Sequence, residues 1–454
     1  MMGRLESGQD RLFYEFRLED QVPSNHFVRK LDALLELEPI REKLAEFYSE
    51  IGRPSVDPEL MIRMLLVGYC YSIRSERKLC EEVQFNLAYK WFCHLGLDDP
   101  VPDHSTFSKN RYGRFREAHV FRLVFEHVVA NCMHAGLVGG EGFAVDASVI
   151  EANASRFQRI EGSEIDWTEE QRATRPVAAY LEALETEASP LNPAQKPRAL
   201  SPSDPAAAWT TRGRNKVQFG YSVNYLLDLQ DDVIVDVEAT PTRISKEVDA
   251  AETMIERTDD CFDLKPERLA ADVAYGTGKV LGWLVDDKGI EPHIPVWEQS
   301  NVAAKGKFTR ANFTYDQNKD VYICPDGKEL TTSGNVNQDG KTIKYMARRS
   351  DCGSCPLKPK CTTGKERRLQ RDVNEHARDH VRALMETEHY RQSARERKKI
   401  ETRFGDLKHN LGLTKLKLRG LAGANEEFLL AATVQNLRRL AKLVPRPPLD
   451  PQAA

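Results

Sequence analysis

The chain has 454 residues, 41% hydrophobic and 30% charged, with a formal net charge of −4; this allows two or three domains with a substantial core and excludes wholesale disorder. No apolar run approaches the ~20 residues of a membrane span, and the polar start Met-Met-Gly-Arg-Leu-Glu-Ser lacks a signal peptide's apolar stretch, so a cytoplasmic protein with no membrane partner is expected. The near-neutral total counts mildly against nucleic acid, but residues 391–409 carry Arg391, Arg395, Arg397, Lys398, Lys399, Arg403 and Lys408 against three acids, while 156–190 is acid-rich, which gives one basic face and one acidic face.

Residues 1–135 read as a helical N-terminal domain. Asp57-Pro58-Glu59 supplies an N-cap, a proline at the first helical position and an acid behind it, and Leu60 to Val67 follows as a buried helix. Ser75 to Leu87 repeats apolar residues at helical spacing. After a break at Gly96–Pro102, Asp103 opens a helix carrying Ser105, Thr106, Lys109 and Arg111. Helix, turn and basic helix suit a DNA-binding pair, and a plain helical bundle suits the same pattern.

The pattern changes after Gly139-Gly140. Gly142–Asp146 reads as a short buried strand, and 156–212 as a polar insertion with a helix from Thr168 to about Glu187 and a Pro- and Ser-rich linker. Strands are expected at 219–227 and 232–237, a helix over 246–257, a strand at 269–272, a helix over 278–285 and a strand at 291–295. Residues 297–385 form a second insertion. Helices over about 386–410 and 425–443 complete the domain begun at 136–296, and a Pro-rich tail, 444–454, is expected to be disordered. The order predicts an α/β domain, a mixed sheet flanked by helices.

Asp146 ends the run Gly-Phe-Ala-Val, Asp272 ends Arg-Leu-Ala-Ala, and Glu401 lies on the basic helix. Two strand-end carboxylates and a helical one can hold a pair of divalent cations, the arrangement that phosphodiester cleavage requires. Arg397, Glu401 and Lys408 sit at i, i+4 and i+11; at ~100° per residue they fall within about 40° of one another on one helical face. A solvated helix with an Arg–Glu pair explains any single pair equally well, so the triad has weight only as a set. Arg212, Arg214 and Lys216 precede a strand, as phosphate contacts or as a solvated basic turn. With Glu401 on a metal, Arg397 and Lys408 would contact flanking phosphates, and Lys398, Lys399 and Arg403 are further DNA-contact candidates on the basic helix.

These residues resemble a bacterial insertion-sequence transposase of the DDE, RNase H-like type. Its signature Tyr-x2-Arg-x3-Glu-x6-Lys is matched by Arg397-x3-Glu401-x6-Lys408, with Ala394 where the tyrosine stands. Val145-Asp146-Ala-Ser resembles the first motif, Ala271-Asp272-Val-Ala-Tyr275-Gly the second, and Leu-Arg419-Gly-Leu, Val-Gln-Asn436-Leu and Pro-Asp103-His-Ser-Thr-Phe are similar to further family segments. The resemblance implies an RNase H-like sheet and two Mg²⁺ held by Asp146, Asp272 and Glu401. It further implies double-stranded DNA (element ends and target) as partner and substrate, strand cleavage followed by transfer of a 3′-OH, and a homodimer that joins two ends. The alternatives are an RNase H-like nuclease without strand transfer and a DNA-binding protein derived from a transposase.

Of nine cysteines, Cys70, Cys80, Cys93, Cys132 and Cys261 lie in helical patterns and are expected as buried small hydrophobes. Cys324, Cys352, Cys355 and Cys361 form Cys-x27-Cys-x2-Cys-x5-Cys. Four thiolates with a Cys-x2-Cys knuckle suit a structural Zn²⁺, stapling a segment too short to build its own core; free thiols are the alternative.

Overall fold

The structure is a computed structural model that describes residues 16–48, 55–162, 165–186, 197–212, 216–242, 244–297 and 307–444, without the side chains of Arg212, Lys216 and Ile244. Residues 445–454 of the terminal tail and 189–196 of the Pro- and Ser-rich linker expected over 189–205 lie outside the described residues.

The N-terminal region is helical. Helix α1 (Pro58–Cys70) is capped by Asp57, whose carboxylate accepts the Glu59 N–H at 2.9 Å. It is buried from Met61 to Cys70, including Arg63, whose guanidinium is satisfied by Glu59 at 2.8 Å, Asp32 at 2.6 Å and the Phe92 carbonyl at 3.0 Å. Helices α2 (Glu76–Phe85) and α3 (His104–Tyr112) start on Ser75 and Asp103 caps. These helices and α4 (Val120–His134) share one apolar core with a face of the central sheet and with the C-terminal helix.

That sheet contains β1 (Gly142–Glu151), β2 (Ala208–Arg212), β3 (Lys216–Asp228), β4 (Ile234–Pro241), β5 (Arg268–Ala270) and β6 (Glu291–His293). Its spatial order is β4-β3-β1-β5-β6, with the short β2 beside the start of β3. The β4–β3 and β3–β1 pairings are antiparallel, while β1–β5 and β5–β6 are parallel. This is the RNase H-like arrangement the motifs implied. Alternation along β1 sends Phe143 and Val145 into one core and Ala144 and Ile150 into the other, so both sheet faces are covered. Helix α5 (Ile244–Phe262) follows β4 in the chain and packs against it.

Two expectations change. Strand β1 continues five residues past Asp146, because Ala147 to Glu151 stay paired with β3; Asp146 is therefore mid-strand. The single helix expected over 386–410 is two, α7 (Glu388–Glu396) and α8 (Lys398–His409), divided at Arg397, where the side chain reaches back to β1. A separate helix, α6 (Glu375–Leu384), precedes them, and α9 (Gly420–Leu443) closes the fold.

Helix α9 is buried on nearly all sides, and its polar residues are structural. The Asn436 amide accepts the Ile234 N–H at 2.9 Å and donates to the Ile234 carbonyl at 2.7 Å, satisfying a buried backbone pair on β4 as another strand would. Gln435 accepts the Tyr225 hydroxyl at 3.0 Å and donates to the Arg403 carbonyl at 2.8 Å.

The second insertion has a five-stranded antiparallel sheet, β7 (Thr314–Asp316), β8 (Val321–Ile323), β9 (Glu329–Val336), β10 (Thr342–Ala347) and β11 (Arg368–Asp372). It encloses a small core of its own, Phe313, Tyr322, Leu330, Tyr345, Ala347 and Leu369, contrary to the expectation that it is too short to build one. Of the scattered cysteines, Cys70, Cys93 and Cys132 are buried as expected, Cys80 is half-buried, and Cys261 is exposed near the end of α5.

Candidate active site

Asp146 shares a sheet face with its cross-strand partner Tyr225. The Tyr225 ring stacks on Phe404 of α8 with centroids 4.9 Å apart. Ile400, Phe404 and Leu407 are the buried stripe of α8, and the Arg397–Glu401–Lys408 face lies roughly 70° round the helix from it. The charged face therefore stands at the edge of the contact, over β1. Arg397 Nη1 donates to Asp146 Oδ2 at 3.2 Å, and Lys408 Nζ donates to the Ser148 hydroxyl two residues along β1. Glu401 lies between them in sequence, with its carboxylate 4.0 Å from Arg397 and its side chain 61% exposed.

Asp272 follows β5 directly. Leu269 and Ala270 pair with Phe143 and Ala144, so continuing the alternation brings Asp272 to the side of the sheet that carries Asp146. Its carboxylate accepts the Ala274 N–H at 2.7 Å, capping a single turn over Val273–Tyr275. The glycine after that turn is a close approach: a Cβ on Gly276 would lie 1.9 Å from the Pro295 carbonyl oxygen, and Gly276 also accepts the Trp297 N–H at 2.8 Å. The turn is thereby held against the segment that follows β6.

Charge accumulates at this place. Burial pushes the Asp146 carboxyl up to about 6, the negative charges of Asp272 and Glu401 add to the rise, and the Ala147 N–H and Arg397 oppose it. Three hard carboxylates in a partly desolvated setting fit Mg²⁺, and the Arg397 guanidinium beside Asp146 marks where positive charge is favourable. The three do not form a set of ligand atoms all within 4.8 Å of one another; two ions ~3.5–4 Å apart call for carboxylates spread around them.

Sequence reasoning missed four contributors. Ser148 receives Lys408. The Tyr275 hydroxyl is buried with no hydrogen-bond partner among the described residues, and burial, with the charges of Asp146, Glu247 and Asp272, raises its pKa far above the ordinary phenol value. Glu247 accepts the Ser222 hydroxyl at 2.7 Å. Finally, an open cavity of about 760 Å³ beyond the end of β1 is lined by Arg156, Phe157, Gln218, Lys415 and Arg419 among others. Among these cavity residues only Arg419 belonged to a motif readable in sequence, whereas Ser148 and Tyr275 stood in the first and second motifs without a role.

The expected DNA contacts divide. Lys398, Ser105 and Lys109 are exposed, and Thr106 is half-buried. Lys399 donates to the Leu229 carbonyl and lies 3.4 Å from Asp232. Arg403 is 13% exposed and faces Asp232 at 3.4 Å, so it points toward the β3–β4 turn instead of outward. Arg111 is a correction: it is 6% exposed and paired with Glu76 at 2.8 Å and Glu426 at 3.5 Å, so its charge is spent inside the helical region. Arg214 lies outside the described residues, and Arg212 and Lys216 are placed by backbone alone, facing each other across β2 and β3.

Cys324, Cys352, Cys355 and Cys361 line one small pocket beside the second sheet, all half-buried and none in a disulfide. Burial raises the Cys361 thiol, and the three neighbouring cysteines add to the rise. Cys324 Sγ accepts the Lys328 N–H at 3.3 Å. The donor set fits a soft tetrahedral ion, although no three of these sulfurs lie within 4.8 Å of one another. Among the described residues no helix is long and apolar enough to cross a membrane.

Residues 16–112 match the family described as "Transposase domain (DUF772)", and residues 323–441 match "Transposase DDE domain". The second match contains Arg397, Glu401, Lys408 and the four clustered cysteines; Asp146 and Asp272 lie between the two matches. No curated protein matches the sequence. A solved structure described as the cryo-EM structure of a piggyBac transposase synaptic complex with hairpin DNA is similar over 92% of this chain and 75% of that chain, at 9% identity and a TM-score of 0.35. The chain thus matches a transposase domain near its start and a transposase DDE domain toward its end, as a DDE transposase would.

Proposed function

We propose that this chain binds the terminal inverted repeats of its element, cleaves a DNA strand there and transfers the freed 3′-OH to target DNA. The observation that carries this reading is the convergence of Arg397, at the junction of α7 and α8, and Glu401 of α8 on Asp146 of β1, beside the turn bearing Asp272. Asp146, Asp272 and Glu401 would hold two Mg²⁺. When bound, the ions supply a nucleophilic oxygen that is deprotonated at neutral pH and a counter-charge for the leaving oxygen.

The chain's own groups bind and orient. Arg397 favours the ionised form of Asp146 and holds α8 against β1. Lys408, anchored on Ser148, adds positive charge on the same side. Lys398, Ser105 and Lys109 are the expected residues with exposed side chains, and Arg156, Lys415 and Arg419 add a basic cavity beyond β1; these are the backbone-positioning contacts a DNA substrate needs. The four clustered cysteines would hold a structural Zn²⁺. Joining two element ends calls for a homodimer.

The test uses the full chain with DNA carrying the element's ends and Mg²⁺ or Mn²⁺. Nicking at the ends followed by joining to a target supports the reading. Asp146→Asn, Asp272→Asn and Glu401→Gln should each abolish cleavage and leave end binding in place. Cleavage without joining would make the protein a nuclease, binding without cleavage a DNA-binding descendant, and full activity in any of the three variants would remove the triad.

A further inference from the structure

At the edge of the sheet that carries Asp146, β6 and α7 meet through three side chains not used above. Glu291 Oε1 lies 2.6 Å from His293 Nε2 and 3.7 Å from His389 Nδ1. The two imidazole rings pack edge to face with centroids 4.9 Å apart. Among the described residues this is the one group of three metal-type side chains whose ligand atoms all lie within 4.8 Å of one another. We propose that Glu291, His293 and His389 form a transition-metal site, zinc first in preference, that clamps α7 to the edge of the catalytic sheet.

The donor chemistry is specific. Two imidazoles and one carboxylate suit Zn²⁺, with a fourth position left for water. Bonds of ~2.0–2.1 Å in tetrahedral geometry put ligand atoms roughly 3.3 Å apart. The Glu291–His389 spacing is near that already. The Glu291–His293 contact must open by several tenths of an ångström, which the 38% exposed Glu291 side chain can do.

The surroundings orient the buried ligand. His293 Nδ1 lies 2.6 Å from Ser393 Oγ, which also receives Arg268 at 3.3 Å. With a metal on Nε2, Nδ1 keeps its proton and donates to Ser393, the outer hydrogen bond that fixes a metal-bound imidazole. His389 and Glu291 are 51% and 38% exposed, so an ion reaches them from solvent. Helix α7 leads through Arg397 into α8; a clamp at its first turn would fix the entry of the helix that carries Glu401. The site stands or falls independently of DNA cleavage.

The test is zinc binding to the full chain in excess Mg²⁺, with stoichiometry and affinity read by competition against a chromophoric chelator. His389→Ala and Glu291→Gln should each bind one zinc equivalent fewer than the parent, or bind it on the order of 100-fold more weakly. Zinc should raise the parent's melting temperature more than that of either variant. With Co²⁺, any near-ultraviolet thiolate band should be unchanged in His389→Ala, separating this site from the cysteines. Equal stoichiometry and affinity in parent and variants overturns the proposal. So does an equal zinc-dependent rise in melting temperature, which is read against each variant's own metal-free melt.

Discussion

Arg397 reaches Asp146 across 251 positions of sequence and donates to its carboxylate at 3.2 Å. This contact joins the DDE-domain match to the central strand, and it places a cation beside a carboxyl that burial has pushed up to about 6. Removing the guanidinium should raise the Asp146 pKa further, because a favourable charge is lost and the burial remains. Metal binding competes with protons for the carboxylate. In the parent, the Mg²⁺ concentration needed for half-maximal cleavage should therefore increase as pH falls through about 6. In Arg397→Ala that increase should begin at higher pH, with roughly a tenfold loss of cleavage at pH 7, as for other partners of metal ligands. Cleavage against pH at several Mg²⁺ concentrations reads both effects; coincident profiles for parent and variant would remove this role.

The same carboxyl sets the sign of a stability effect. Its folded pKa, about 6, lies above the ordinary value of 3.8, so near pH 5 the folded chain binds more protons than the unfolded one. Metal-free stability should therefore fall as pH rises from about 4 to about 6 through this group. At pH 7 the ionised Asp146 opposes folding by about 3 kcal/mol at most, at ~1.4 kcal/mol per unit. Asp146→Asn should then unfold at higher temperature than the parent in EDTA at pH 7, and Mg²⁺ should stabilise the parent but not the variant. A variant less stable than the parent without metal would contradict the burial argument.

The structure shows why local pattern located the acids but misjudged their settings. The runs before Asp146 and Asp272 read as buried strands because both sheet faces are covered. Nothing local marks that Ala147 to Glu151 stay paired, since that pairing is made by β3, some seventy residues on. The Arg397–Glu401–Lys408 face was legible because helical period fixes it. Arg111 misled for the converse reason: its neighbours Ser105 and Lys109 are exposed, but its own partners, Glu76 and Glu426, come from elsewhere in the chain. The Glu291–His293–His389 group was likewise invisible, two residues on a three-residue strand and one on a helix.

Asn436 tests the reading of α9 as structure. Its amide satisfies both backbone groups of Ile234. Asn436→Leu leaves a buried N–H and a buried carbonyl without partners, at about 1–3 kcal/mol each. Urea unfolding should report a loss of roughly 2–6 kcal/mol, with the remaining folded protein keeping its affinity for DNA. A stability loss within experimental error would show that Ile234 finds other partners.

Gly276 separates a geometric requirement of the site from a chemical one. The residue makes no contact with substrate in the proposed mechanism, and its backbone φ is unstrained at −79°, so alanine is conformationally acceptable there. What forbids alanine is space: the new Cβ would lie 1.9 Å from the Pro295 carbonyl oxygen, a backbone atom that cannot rotate away. Either the segment after β6 moves out or the turn over Val273–Tyr275 does, and Asp272 caps that turn through the Ala274 N–H. Gly276→Ala should therefore displace the Asp272 carboxylate relative to Asp146. A misplacement of ~1 Å costs on the order of 100-fold in rate, so cleavage should fall by about that factor. Overpacking of this kind costs about 1–3 kcal/mol, and the protein should stay folded. A variant with parental cleavage and parental Mg²⁺ dependence would show that the turn gives way without moving Asp272, and the close packing of Gly276 on Pro295 would then have no part in holding the site.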